Sequence, residues 1–258
     1  MALGTWHKPG DPTVYGTMPV ECSGILKYLS EINEKPQAKV TVTHLVAKAV
    51  AVTLKKYPDM NGIIKWGRIY VRDSIDIFLQ VAVAEKNKGD KPDLSGAKIN
   101  NCDTKSLIEI AEELRSRSER IRNRGDSQFS KGQAALMGFH SWILTPLMKL
   151  VPFLTFNLGL NLPKLGLPND PFGSAMITSV GTWGVPPGYA PLVPFSRVPL
   201  LICIGAIEDR PWVVDGQVVV RPAMDLKVTF DHRFMDGLTG SRMYKHLQEI
   251  FKDPSKYL

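Results

Sequence analysis

The chain has 258 residues, of which 44% are hydrophobic and 22% charged, and 32 Lys+Arg against 25 Asp+Glu give a net charge of +7. Those are globular proportions, which exclude a disordered, collagenous or disulfide-stapled chain. Three widely spaced cysteines (Cys22, Cys102, Cys203) with no CxxC pair point to a reducing compartment, and no metal is expected.

The opening MALGTWHKPGDPTVYG has no basic start followed by an apolar run, so no signal peptide is read and a cytoplasmic protein is expected. Residues 1–20 carry three prolines and three glycines and read as an extended arm that packs on something else, such as a neighbouring subunit. A short helix from Ser23 to Ile32 stops at Asn33-Glu34-Lys35-Pro36. The next is capped by Thr43, carries the stripe Leu45, Val46, Ala49, Val50, Leu54 and ends at Tyr57-Pro58. Gly62-Ile63-Ile64 and Arg68 to Arg72 read as a hairpin, and Ile75 to Ala84 as a buried strand. Residues 87–101 are polar, with Gly89, Pro92 and Gly96, and read as a loop or an edge segment. Asp103 or Thr104 then caps a long helix with the stripe Leu107, Ile110, Ala111, Leu114, Ile121. Arg115, Arg117, Arg120, Arg122 and Arg124 alternate with Glu112, Glu113 and Glu119 as on a solvated helix face. No aromatic residue lies among them to stack a base, so no nucleic-acid partner is expected.

Residues 132–163 hold one formal charge, Lys149, among many apolar side chains. A spanning helix needs about 20 unbroken apolar residues, and Pro146, Lys149 and Pro152 interrupt this run. It is expected to form a pair of short helices packed on protein, with an interfacial membrane contact through 132–163 as the other reading. The last third is strand-rich: Ser174 to Val180, Val198 to Ala206, an Asp-Gly hairpin from Trp212 to Val220, and Leu226 to Phe230, before a closing helix from Thr239 to Phe251. With no repeat and no linker, residues 1–258 read as a single α/β domain, a mixed sheet covered by helices.

Chemistry concentrates in VTFDHRFMDGL, Val228 to Leu238, where a strand runs into His232, four residues before Asp236-Gly237. A histidine at a strand-to-helix turn is presented rather than buried in a ladder. Mostly neutral at pH 7, it can take a proton from a thiol whose own pKa lies near 8.5, which suits acyl transfer to sulfur.

DHRFMDG followed by a terminal helix resembles the catalytic domain of the dihydrolipoyl acyltransferase component of 2-oxo acid dehydrogenase complexes, and HxxxDG is similar to chloramphenicol acetyltransferase, which shares that fold. VTVTHLVAKAVAVTLKKYPDMNG, DTKSLIEIAEEL, GSAMITSVGTWG and LLICIGAIEDRPWVVDGQVVVRP stand in the family's order, so the likeness runs from about residue 15 to the C-terminus, leaving out the apolar insertion at 126–170. It implies a chloramphenicol acetyltransferase-like α/β fold with an apolar helical insertion. It also implies that His232 is the general base acting on the thiol of coenzyme A or dihydrolipoamide. By the same likeness the oxyanion-binding hydroxyl falls at Thr178, with Ser179 a second candidate, and Asp236 holds the turn with a supporting part in catalysis. Arg233 is expected to pair with a nearby carboxylate. The family implies a homotrimer with its site between subunits, and a cage built through the C-terminus; Tyr257 and Leu258 finishing a helix on their own subunit is the alternative. No lipoyl or subunit-binding domain is read in these residues, so a lipoyl group is expected only in trans, on a partner chain. The competing function is a catalytically silent oligomeric core or scaffold of a dehydrogenase-like complex, and a third reading makes residues 132–163 a membrane dock.

Overall fold

The computed structural model describes residues 11–35, 39–83, 93–124, 146, 150–161 and 169–258. Its centre is a seven-stranded mixed sheet in the order β1 (Thr13–Glu21), β9 (Gln217–Asp231), β7 (Leu200–Ile204), β6 (Ala175–Ser179), β4 (Ile77–Val83), β5 (Asp93–Ile99), with β8 (Glu208–Val214) paired to the first half of β9. β4, β6 and β7 run parallel, and the remaining pairings are antiparallel. A separate hairpin joins β2 (Gly62–Lys65) to β3 (Arg68–Val71).

Both faces of the central strands are covered, which is why they read as unbroken apolar runs rather than alternating ones. On one face α1 (Ser23–Asn33), α2 (Val42–Lys56), α3 (Leu107–Arg124) and α4 (Gly237–Lys252) enclose the main core, where Ile25, Leu45, Leu54, Ile110 and Leu247 meet Ile77, Ile177, Ile202 and Leu226. On the other, Met176 and Leu201 join Phe172 and Val198, with Leu192 and Phe195 packed against them.

The arm is an edge strand from Thr13 onward: it pairs with β9 of its own chain from Thr13 opposite Asp231 to Glu21 opposite Ala223. Its alternation buries Met18 and Val20 and leaves Tyr15 exposed, so burial on its own sheet, rather than on a neighbour, orders this part. The arm before residue 11 lies outside the described residues.

Helix starts differ from the sequence expectation. The α2 cap is Thr41, not Thr43: its backbone N–H donates to His44 Nδ1 at 2.9 Å, an imidazole filling the place usually taken by Glu or Gln in a capping box. Neither Asp103 nor Thr104 caps α3. Ser106 does so by exchange with Glu109, whose carboxylate accepts from the Ser106 N–H and hydroxyl at 2.7 and 2.8 Å, while Asp103 pairs with Lys55 at 3.1 Å. α4 begins at Gly237, two residues before Thr239.

The Asp215-Gly216 turn, with φ of 50° and 79°, closes the expected hairpin. Its second strand is continuous with Leu226–Phe230, however, so that β9 is 15 residues long. The proline inside it, Pro222, is tolerated because its missing N–H falls just beyond the end of β1, where Cys22 N–H donates to the Pro222 carbonyl. The segment at 87–101 contributes the edge strand β5.

Of the insertion, residues 146, 150–161, 169 and 170 are described; residues 150–152 are helical and run into one π-helical turn, Phe153–Asn157, and the rest of the expected helix pair lies outside the described residues. No helix among the described residues is long and apolar enough to cross a membrane. At the C-terminus, Tyr257 and Leu258 pack on their own subunit, with Tyr257 edge-on to His246 of α4.

Candidate active site

His232 stands exposed at the apex of the turn that leaves β9, and its imidazole has no hydrogen-bond partner among the described residues. Three main-chain bonds place it. Asp231 N–H donates to Pro199 O at 3.0 Å, His232 N–H to Pro12 O at 2.9 Å, and Phe234 N–H to Asp231 O at 3.0 Å. Phe234 lies against Gly62 of β2, where a Cβ would come within 2.7 Å of its ring, so the turn is seated on the β2–β3 hairpin and that position admits only glycine without displacement.

Asp236 is the N-cap of α4. Its carboxylate accepts from Thr239 N–H at 2.8 Å, and that bond holds its pKa below the ordinary carboxylate value, so it stays ionised. Its position makes it a turn-former and a negative charge near His232. Arg233 finds its carboxylate in Asp231, the residue on the other side of the histidine.

Thr178 and Ser179 end β6 and are half-buried. Strand alternation separates them: Ile177 and Ile202 face the helices, so Thr178 and its neighbour Cys203 face the opposite side of the sheet, and Ser179 faces the helix side. Neither hydroxyl has a hydrogen-bond partner among the described residues, which leaves both free to donate. Register extends the row from Thr178 to Cys203, Lys227 and Thr17 across β6, β7, β9 and β1. Lys227 Nζ donates to Thr17 Oγ1 at 3.1 Å and lies 5.2 Å from the Tyr189 ring centroid, and the Tyr189 hydroxyl is 2.5 Å from Thr17 Oγ1. Reading from sequence passed over Lys227 and Tyr189, because the row exists only once four strands distant in sequence are in register.

Past Ser179 the chain is fixed by glycine contact. A Cβ on Gly181 would approach the Gly205 carbonyl oxygen to 2.5 Å, and Val180 N–H donates to Ile204 O at 3.0 Å.

Within one chain these groups do not meet. Thr178 is level with Lys227 two strands away, and His232 lies five residues further along β9. At about 3.3 Å per residue and about 4.8 Å per strand, their backbones are about 19 Å apart. A reaction using both needs a second copy of the chain.

The cysteines offer no nucleophile. All three are free and buried; burial pushes the thiols of Cys22 and Cys102 up to about 12 and raises that of Cys203, so each stays protonated at neutral pH.

The mixed sheet with helices on one face, and the long antiparallel strand that ends at an exposed histidine, form a fold shared with solved structures. The chloramphenicol acetyltransferase structure matches with a TM-score of 0.53 at 15% identity, covering 93% of this chain and 89% of that one. The cubic core of the pyruvate dehydrogenase multienzyme complex matches with a TM-score of 0.67 at 19% identity, covering 96% and 84%. The sequence signature of the 2-oxoacid dehydrogenases acyltransferase (catalytic domain) family covers residues 8–132 and 171–258, and the chain belongs to that family. Among its relatives is the dihydrolipoyllysine-residue succinyltransferase component of the mitochondrial 2-oxoglutarate dehydrogenase complex of Saccharomyces cerevisiae, 27% identical over 231 residues, which cover 90% of this chain and 40% of that protein. The chain thus spans about two-fifths of the length of such relatives.

Proposed function

We propose that the chain transfers an acyl group between coenzyme A and a thiol such as a dihydrolipoyl group, working as a homotrimer with each site shared by two subunits. His232 removes the proton from the attacking thiol. The sulfur adds to the thioester carbonyl, the Thr178 hydroxyl of a neighbouring copy donates to the oxygen that becomes negative, and the tetrahedral adduct collapses by expelling the original thiolate, which recovers the proton from His232. Electrons and protons balance without an acyl-enzyme, in keeping with the absence of an ionised cysteine among the described residues.

The observation that carries this reading is the placement of His232, exposed and with no hydrogen-bond partner among the described residues, on a turn that the main chain holds from both sides, in a chain of this family. The distance of about 19 Å to Thr178 supports the shared site. Thr178 is favoured over Ser179 by the face of the sheet it occupies, and Asp236 is assigned to hold the turn.

Residues 1–258 are read as one acyltransferase domain, and the break in the family match after residue 132 supports an insertion there. The lipoyl group comes from outside these residues. Likeness to a cubic core supports a cage of trimers, although Tyr257 and Leu258 pack inward and are poorly placed to anchor it. Three free cysteines suit the cytoplasm.

Thioester exchange tests the reading: the protein is incubated with acyl-CoAs from acetyl to long-chain and with dihydrolipoamide, beside His232→Ala. Transfer by the wild type that the variant loses is the expected result. Silence across the whole range from an intact oligomer would instead favour a catalytically silent scaffold.

A further inference from the structure

His232 is flanked in sequence by opposite charges that bind each other across it. The Asp231 carboxylate accepts from the backbone N–H of Arg233 at 2.9 Å, from Arg233 Nε at 3.0 and 3.1 Å, and from Nη2 at 2.6 Å. Its side chain is 8% exposed and that of Arg233 59%. The carbonyl of Asp231 also accepts from the N–H groups of Phe234 and Met235 at 3.0 and 3.2 Å. One residue therefore grips the turn with both its side chain and its main chain, and His232 is the residue the grip encloses. These bonds also keep the Arg233 guanidinium charge firmly in place, raising its pKa above the ordinary value.

We propose that Asp231 and Arg233 are the positioning pair of the acyl-transfer site, fixing the backbone of His232 and presenting its imidazole beside two charges that cancel. The proposal rests on His232 being the base. A carboxylate left alone next to the ring would favour the imidazolium, which has no lone pair for the thiol proton, whereas a guanidinium left alone would weaken the ring as a proton acceptor. The bidentate pair prevents both, and does so through a buried anion that would be costly without its partner. Of the other ionisable groups around the turn, Asp236 stays ionised on its bond from Thr239 N–H and is a fixed negative charge near His232 in every variant, whereas Asp11 accepts from Thr13 N–H at 3.0 Å and Arg242 pairs with Asp59 at 2.7 Å.

The test is a ring-proton NMR titration of His232 in the full-length wild type, Arg233→Gln, Asp231→Asn and the double variant, with His232→Ala identifying the resonance. The midpoint is expected to move to higher pH in Arg233→Gln, to lower pH in Asp231→Asn, and back towards wild type when both are changed. The acid limb of kcat/KM for thioester exchange should follow it, with kcat lowered and KM little changed. A purely structural pair would lower the unfolding temperature and leave the midpoint where it was; unmoved midpoints in both single variants overturn the proposal. Arg233→Gln replaces a largely exposed side chain and keeps the fold, so the comparison survives if Asp231→Asn does not fold. Midpoints that move in the variants while the wild type shows no His232-dependent exchange would uphold the charge matching and bring down the acyl-transfer reading instead.

Discussion

Thr178 and Ser179 are adjacent in β6 but face opposite sides of the sheet, which turns two candidate oxyanion donors into a testable pair. Thr178→Val keeps the shape and removes the donor, and should lower kcat by about 10² to 10³, while Thr178→Ser restores most of it and Ser179→Ala changes little. Steady-state thioester exchange decides, and the reverse ordering would move the donor to Ser179. His232→Ala should cost about 10² to 10⁴ in rate, with the oligomer unchanged by size-exclusion chromatography. Much at this scale is legible in DHRFMDG itself, since a strand that ends in histidine and is followed by an Asp-Gly helix start can present the ring in few other ways. What could not be read was the partner of Arg233, because an i to i+2 ion pair depends on how tightly the turn closes. The facing of Thr178 was equally hidden: alternation gives two faces, and only the packed helices say which one is open.

Local sequence rules failed where one residue type stood in for another. His44 closes the α2 capping box although imidazoles are not the usual acceptors there, and the same burial that lets it serve as acceptor lowers its pKa to about 4. The unfolded chain, with an ordinary histidine near 6.5, then binds a proton that the folded chain refuses. Stability is therefore full above about pH 6.5, falls as the pH is lowered towards about 4, and is reduced by on the order of 3 kcal/mol once both states are protonated. Urea unfolding at pH 7 and pH 5 should show a smaller drop for His44→Gln than for wild type; equal drops would mean that the ring is protonated in place. Pro222 lies between residues 212–220 and 226–230, which read as separate strands, yet β9 runs through it because no donor is needed beyond the end of β1. Gly181 is a third case, in which contact with the Gly205 carbonyl rather than backbone freedom demands glycine. Gly181→Ala should destabilise by about 1 to 3 kcal/mol in thermal unfolding and displace the end of β6, lowering exchange as well.

For the molecule as a whole, the strand register makes a stronger demand than any single residue. Thr178 and His232 sit near opposite ends of one sheet, so a site that uses both is assembled from two copies, each supplying what the other lacks. This can be tested without a structure of the assembly. His232→Ala retains the threonine and Thr178→Val retains the histidine, so each alone forms only crippled sites. Subunits mixed from the unfolded state and refolded together form some sites with a histidine from one variant and a threonine from the other. With random assembly into a cyclic oligomer and equal amounts of each, such sites make up about one quarter of the total, and roughly that fraction of wild-type exchange should return. The same variants refolded separately and then combined should regain little, because formed oligomers do not trade subunits quickly. Should co-refolding restore nothing while mixed oligomers are demonstrated by a tag on one variant, the two residues do not share a site across subunits, and the hydroxyl that serves His232 must be sought on the hairpin and turn beside it in the same chain.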